Sequence, residues 1–387
     1  MPSLRVMIIG GGIGGLCLAH GLRRAGVPVT VHERTEARTD WLQGYRIHIN
    51  PHGARAVEAC LPPEGWKTFL DTVPADRAGF GFTTEHLRDL LRFPATEVGD
   101  GHYGVSRIKL REVLLAGLGD DLRTGHEFVS YAVSGDTVTA HFADGSTDTA
   151  DVLIGADGAN SRVRAQLLPH AAGRVDTGII TIAGRHPLPA ATLPRVLTDD
   201  VNLVIPARRG SFFTAIWPGD DPYVLWSFSD LASALPPPAN VDLRRLVLER
   251  TTGWAPALRD LVAGSDTPNA LRIRSAIPVK PWPTGRVTLL GDAIHNMTPM
   301  AGVGANTALR DAELLARALT RPDLLPALRD YETEMLGYGF AAVRRSLRNA
   351  RQGASPNRLG RAAFRTMLRT VDALPPIRRR MGAQLGQ

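Results

Sequence analysis

Hydrophobic positions along the chain follow two rhythms. Three short runs are apolar with little polar alternation: Val6-Met7-Ile8-Ile9, Ala150-Asp151-Val152-Leu153-Ile154-Gly155-Ala156, and Arg286-Val287-Thr288-Leu289-Leu290. Runs of this kind predict strands buried on both faces, as in a parallel sheet with helices above and below. Around them, Leu16 to Leu22, Ala54 to Leu61, Arg107 to Leu115 and Asn306 to Leu319 read as helices. From about residue 176 to 275 the pattern shifts to short alternating strands at Asn202–Ile205, Phe212–Trp217 and Tyr223–Phe228. The Pro236-Pro237-Pro238 run separates them from a helix around Val241 to Thr251. Residues 73 to 105 are irregular and short-stranded, and Val138–Phe142 before Asp144-Gly145 reads as a hairpin. The predicted fold class is α/β: a Rossmann-like domain with an inserted antiparallel sheet and a C-terminal helical segment. The domain is discontinuous over 1–72, 101–175 and 276–325, the insert occupies 73–100 and 176–275, and helices fill 326–387.

The turn after the first run carries the chemistry. Gly10, Gly12 and Gly15 satisfy GxGxxG between a buried strand and a helix, with Ile13 and Gly14 inside the motif. Gly10 permits the tight turn, Gly12 lets a pyrophosphate approach the backbone, and Gly15 lets helix and strand pack closely. The helix start offers free N–H groups and the positive dipole end. A second strand, Pro28 to His32, ends in Glu33, about 20 residues on, where an acid binds a ribose hydroxyl. Strand, glycines, helix, strand and terminal acid together predict a dinucleotide site.

Two further segments belong with it. Asp157-Gly158 follows the second buried strand, with Ser161, Arg162 and Arg164 behind, and suits phosphate and ribose groups at the carboxyl edge of a sheet. Gly291-Asp292-Ala293-Ile294-His295 follows the third, with Pro299, Gly302, Gly304 and Asn306 beyond. Asp292 can bind a ribityl or ribose hydroxyl, and the Gly302–Asn306 turn aims a helix N-terminus at developing negative charge. His295 is expected to pack behind the loop. Tyr45 to Asn50 alternates, with Arg46, His48 and Asn50 on one face.

Composition narrows the field. The net charge of +7 is almost entirely arginine, with lysine only at positions 67, 109 and 280, and no basic patch interleaved with aromatics marks a nucleic-acid binder. Cys17 and Cys60 sit in apolar helical contexts, as reduced core thiols would, and no Cys/His cluster has metal-ligand spacing. The first strand begins within a few residues of the N-terminus, so no signal peptide is expected, and the location expected is cytoplasmic. The glycines and His20 exclude a membrane span over Val6–Leu22. In the C-terminal segment Arg358, Arg361, Arg365 and Arg369 form a stripe opposite Leu359, Phe364, Met367, Leu368 and Val371. A docking helix with a solvated basic face is expected there, rather than membrane contact.

These three segments, in this order, resemble the class A flavoprotein monooxygenases of the para-hydroxybenzoate hydroxylase type, over about residues 4–60, 103–165 and 280–320. The resemblance implies a Rossmann-like FAD domain of the GR2 type. It implies that Gly10, Gly12, Ile13, Gly14, Gly15 and Glu33 bind the ADP half of FAD, and that Arg107, Asp157 and Gly158 contact the cofactor. Asp292 is implied on the ribityl chain, with Pro299, Gly302, Gly304 and Asn306 near the isoalloxazine. Arg34 is a candidate for a phosphate of NADH or NADPH, a transient hydride donor that has no second GxGxxG of its own here. The sequence departs from the family at Gln43-Gly44-Tyr45-Arg46, where a small Gly-Ala or Gly-Gly step is common.

The activity implied is hydroxylation of an aromatic or polycyclic small molecule, such as a secondary metabolite, with O2 and NAD(P)H through a flavin C4a-hydroperoxide. An aromatic-lined sheet would exclude water from that chemistry, which makes Phe213, Trp217, Trp226 and Phe228 substrate candidates, although an ordinary core face gives the same pattern. Tyr45, Arg46 and His48 are candidates for polarising a substrate hydroxyl. Alternatives on the same motifs are a flavin epoxidase, Baeyer–Villiger oxygenase or oxidase, a lipid or quinone reductase at a membrane surface, and a non-catalytic FAD-binding protein.

Overall fold

The computed structural model describes residues 4–35, 45–74, 78–97, 99–171, 173–188, 193–237 and 241–382. The chain divides into two compact units. The first comprises residues 1–72, 106–175 and 274–346, and the second 73–105, 176–273 and 347–387. The long helix Leu324–Ala354 contributes to both, so the expected separate block 326–387 is shared out between them.

The first unit is built on a five-stranded sheet in the order Val287–Leu289, Val152–Gly155, Val6–Ile9, Val29–Glu33, Leu122–Thr124. Every neighbouring pair is parallel. The three apolar runs are adjacent strands of this sheet, with every residue of Val6–Ile9, Val152–Gly155 and Val287–Leu289 buried. The helix Ile13–Arg24 packs against Pro51–Cys60 and Gly304–Ala318. Its Gly14 and Gly21 lie against Ala308 and Ala316, so these glycines serve helix–helix approach. The expected hairpin is present: Thr137–Phe142 turns through Gly145, at φ +83°, into Thr147–Ala150.

The second unit carries a seven-stranded sheet in the order Asn269–Ala276, Arg174–Pro187, Tyr223–Leu231, Ser211–Trp217, Val201–Val204, Phe80–Thr83, Asp89–Phe93. Val201–Val204 runs parallel to Phe80–Thr83, while the pairings of Tyr223–Leu231 with both neighbours are antiparallel. One face is sealed: Ile180, Ile182, Val204, Phe212, Ile216, Val224, Trp226 and Phe228 pack with Leu246, Val247, Leu258, Leu261 and Val262 from helices Leu243–Arg250 and Pro256–Ala263. Asp242 caps the first of these by accepting from Arg245 N. Pro238 lies outside the described residues.

The C-terminal helix Arg358–Asp372 corrects the expected stripe. Arg361 is buried, and its guanidinium donates to the carbonyls of Pro206, Gly210 and Gly353. Arg365 pairs with Glu85 at 3.2 Å. Two of the four arginines therefore anchor the helix beside Phe364, Leu368 and Val371. Leu359 and Met367 point to solvent instead. No helix among the described residues is long and apolar enough to cross a membrane.

Candidate functional site

Parallel pairing aligns the ends of the strands in the first unit. Ile9 stands beside Gly155, and Gly155 beside Leu289, so the loops at Gly10–Gly15, Ala156–Ser161 and Leu290–His295 leave the sheet side by side at its carboxyl edge. That placement comes from topology, and it gathers three motifs that are far apart in sequence.

The glycine turn is shaped for a ligand. Gly10 has φ +117°, and a Cβ there would collide with the Ala156 carbonyl. A Cβ on Gly15 would strike the Gly10 carbonyl, so this glycine allows the helix to start tight against the strand. At Gly12 a Cβ would meet nothing within 4 Å. Gly12 is also the N-cap of Ile13–Arg24 and offers no side-chain cap, which leaves the first amides of a 12-residue helix without a side-chain acceptor from the cap.

Glu33 ends its strand almost fully buried. Its Oε2 accepts from Gly11 N at 2.7 Å, and its Oε1 from Thr35 N and Oγ1. The acid thus pins the glycine turn from behind. A carboxylate has about four lone-pair positions, so a ribose hydroxyl can share it.

The second loop presents Asp157 and Gly158. Asp157 Oδ2 accepts from Arg162 N at 2.7 Å and Val163 N at 3.2 Å, while its buried Oδ1 has no partner among the described residues. Burial raises its carboxyl pKa. Gly158 adopts φ +79° with open space where a Cβ would be. An unsatisfied buried acceptor beside an open glycine is what a bound hydroxyl would complete.

In the third loop Gly291, at φ +62°, turns the chain so that Asp292 is exposed at the start of a short helix. Behind it, buried Asp311 accepts from Gly291 N and His295 Nε2, both at 2.7 Å, and from the Tyr338 hydroxyl. Burial opposes charge on His295, but Asp311 outweighs it and raises the imidazole pKa. His295 therefore packs behind the loop, as its sequence position suggested. Farther on, Gly302 adopts φ +64° with no neighbour where a Cβ would stand, after the Pro299–Ala301 turn. The 15-residue helix Gly304–Ala318 then begins without a side-chain cap.

Asn306 is placed differently from expectation. It is buried, its Oδ1 accepts from Asn50 N at 2.8 Å, and its Nδ2 donates to His48 O at 2.8 Å. Its amide ties the helix start to the Arg46–Ile49 strand. Tyr45, Arg46 and His48 are half-buried along that segment, Arg107 is half-buried at the first turn of its helix, and Arg34 is exposed.

Sequence reading named Ser161 and Arg164 but missed the basic hollow that they help to line. A cavity of about 280 Å³ is lined by Asn160, Ser161, Arg164, Arg174 and Arg274 with small residues between them. Burial and then Arg174 lower the pKa of Arg164, and burial and then Arg274 lower that of Arg174. Asp292 acts in the opposite sense on both. Arg174 donates to the neutral amide oxygens of Asn160 and Asn296. Arg174 and Arg274 stand 100 positions apart, so no local signal joins them.

The aromatic candidates lie in the second unit and divide by face. Trp226 and Phe228 are core: Trp226 is fully buried, stacks on Phe212 at 5.8 Å, and crowds Gly184. Their alternation faces the helices, which overturns the substrate reading for both. On the opposite face Ala183, Ser227, Phe213 and Leu203 stand side by side across four strands, each half-buried. Trp217 is buried, and its Nε1 donates to Asp220 O.

Comparison with known proteins agrees with this geometry. The family model described as FAD binding domain matches residues 101–323, and that described as NAD(P)-binding Rossmann-like domain matches residues 8–57. The 3-amino-4-hydroxybenzoate 2-monooxygenase PtnB3 of Streptomyces platensis is 33% identical over 355 residues, covering 85% of this chain and 83% of that protein. The dual O-methyltransferase/FAD-dependent monooxygenase elcB of Phaeosphaeria nodorum is 30% identical over 81% of this chain, which spans only 40% of the length of that protein. Among solved structures, a protein of Photorhabdus luminescens subsp. laumondii TTO1 assigned as an FAD-containing monooxygenase superposes with a TM-score of 0.84. Its identity is 38%, over 91% of this chain and 99% of the other.

Proposed function

We propose, from the fact that the chain belongs to the family of FAD-dependent monooxygenases, that it uses FAD and NADH or NADPH to insert one atom of O2 into an aromatic or polycyclic small molecule. The observation that carries the reading is the alignment of three ligand-shaped loops at one sheet edge: an uncapped helix behind Gly12, an unsatisfied Asp157 Oδ1, and an exposed Asp292. These fit a molecule that is phosphate in its middle and hydroxyl-rich on both sides.

In this reading the amides at Ile13–Gly15 hold the pyrophosphate, Glu33 a ribose hydroxyl, and Asp292 a ribityl hydroxyl. FAD, when bound, supplies hydride acceptance and oxygen activation. The chain's own contribution is orientation and charge. The uncapped start of Gly304–Ala318 stabilises negative charge at its N-terminal end. Arg164, Arg174 and Arg274 surround a hollow that suits the phosphates of a visiting nicotinamide donor. The half-buried residues Ala183, Ser227 and Phe213 stand side by side on the face away from the core helices, with Leu203 at the end of the row packed against the cluster of Leu91 and Leu368. This apolar row with a single hydroxyl supports an aromatic or polycyclic substrate. Arg46 and His48, two apart on one strand, remain the groups proposed to polarise a substrate hydroxyl.

The test is a purified protein. It should be yellow, release FAD on denaturation, and oxidise NAD(P)H faster when a panel of aromatic compounds includes its substrate, with product mass rising by one oxygen. A colourless protein that cannot be reconstituted with FAD would refute the cofactor reading. A yellow protein whose NAD(P)H oxidation yields only peroxide with every compound would refute the monooxygenase reading.

A further inference from the structure

The last two helices turn a face to solvent that neither the fold nor the proposed reaction uses. Leu359, Ala363, Met367, Thr370 and Leu374 follow one another at spacings of four, four, three and four, which places them on one side of Arg358–Asp372 and its continuation. All five are exposed, Leu359 to 84%. Helix Pro375–Gly382 continues the row with exposed Ile377 and Met381. Of the 13 large apolar side chains exposed among the described residues, five fall between Leu359 and Met381, so this is a concentration and not background scatter.

The helices cannot roll to hide the row, because their inner side is already committed. Arg361 is held by four carbonyls, Leu368 is buried, Arg378 pairs with Glu97 at 2.8 Å, and Gly382 abuts Phe93. The unpaired charges around the row are basic. Arg358, Arg369, Arg379 and Arg380 are exposed and enter no ion pair among the described residues. Asp372 is the one acid between Asn357 and Gly382; it is half-buried and accepts from Arg92 N. Beside the row lies a hollow of about 230 Å³ lined by Ala207, Ala362, Arg365, Thr366 and Arg369.

We propose that this face rests on an anionic phospholipid surface. The apolar row enters the headgroup–acyl boundary, the exposed arginines lie among headgroup phosphates, and one phosphate seats in the hollow beside Arg369 and Thr366. Charge complementarity selects the occupant: a row of protruding flexible side chains, flanked by guanidiniums and empty of exposed acid, fits a negative fluid interface. Apolar insertion and basic attraction act together here, as reversible surface binding requires.

The whole FAD-loaded protein is sedimented with vesicles of phosphatidylcholine alone and of phosphatidylcholine mixed with phosphatidylglycerol. It should pellet with the mixed vesicles only, and ~1 M salt should release it, since screening then reaches about 3 Å. The double variant Leu359→Gln/Met367→Gln should weaken partitioning at least tenfold. Each of Arg369→Gln, Arg379→Gln and Arg380→Gln should weaken it about fivefold, the equivalent of about 1 kcal/mol per surface cation. These side chains are outside the core, so melting temperature and flavin content should not change. Wild-type protein that stays in the supernatant with anionic vesicles overturns the proposal. So do variants that pellet like wild type. A dimer in solution that Leu359→Gln/Met367→Gln dissolves would assign the row to a second copy of the chain and overturn it equally.

Discussion

Replacing Trp226 by Ala should damage stability and leave substrate choice alone, whereas replacing Phe213 should do the reverse. Trp226 is fully buried, its ring is nearly parallel to that of Phe212 at 3°, and it fills the space that Gly184 leaves open. Truncating such an aromatic removes its transfer free energy and leaves a cavity, at a cost of about 3–5 kcal/mol. For a unit of this size the melting temperature should fall by roughly 10 °C. Phe213, on the neighbouring strand but the other face, is half-buried and outside that core. Its truncation should cost about 1 kcal/mol, while the ratio of kcat/KM between two aromatic substrates shifts about tenfold or more. The assay pairs thermal melts of both variants with NAD(P)H oxidation across a substrate panel, each rate normalised to bound FAD. Trp226→Ala with a wild-type melt and an altered substrate range would refute the assignment of faces.

Three further outcomes are expected. Asp292→Ala should weaken FAD binding by about 1–3 kcal/mol, the loss of one hydrogen-bonding acceptor, seen as raised free-flavin fluorescence on dilution; an unchanged dissociation constant removes Asp292 from the site. Arg274→Ala should raise KM for NAD(P)H about tenfold with FAD content unchanged, because a guanidinium at the hollow binds phosphate with charge assistance; an unchanged KM disconnects the hollow from the donor. The raised pKa of His295 gives a pH dependence of known sign: its stabilisation is complete below the unfolded value of 6.5 and fades as pH rises through the higher folded value. The melting temperature of His295→Gln should therefore fall less than that of wild type between neutral and alkaline pH, and parallel curves would show that the imidazole is neutral throughout.

Much of the first unit was legible because its physics is local. A strand buried on both faces must be apolar without alternation, and Val6–Ile9 and Val152–Gly155 are. A glycine at φ +117° against a carbonyl can be nothing else, which is why Gly10 announces the turn. The second unit was legible only to the level of face. Alternation says that Trp226 and Phe228 share one side, but the cross-strand register sets Phe213 on the other, against the single aromatic face expected. Which side the helices cover depends on Leu246, Val247, Leu258 and Leu261, supplied by a later stretch of chain. The same limit split the arginine stripe: two of the carbonyls that capture Arg361 belong to Pro206 and Gly210, some 150 positions away.

Asn306, whose role shifted, shares a helix with Asp311, whose role entered only with the structure. Asn306 and Asp311 belong to Gly304–Ala318, and both spend their side chains on the chain itself. Asn306 fixes His48 O and Asn50 N, hence the end of the Arg46–Ile49 strand and the start of the helix that Asn50 caps. Asp311, one turn and a half further along, fixes Gly291 N and so the φ > 0 turn that exposes Asp292. One element therefore ties the Arg46–Ile49 strand and the Gly291 turn together, the two segments proposed above to lie near the cofactor. A loop carrying Asp292 would hold its carboxylate to within hydrogen-bond tolerance only if something rigid defined its turn, and a buried carboxylate accepting three donors does so. Asp311→Asn tests this division of labour. The amide keeps the volume but loses one acceptor, so FAD binding should weaken through Asp292, and the effect of Asp292→Ala should shrink in the Asp311→Asn background. Full additivity of the two substitutions would show that Asp311 supports the fold without positioning Asp292.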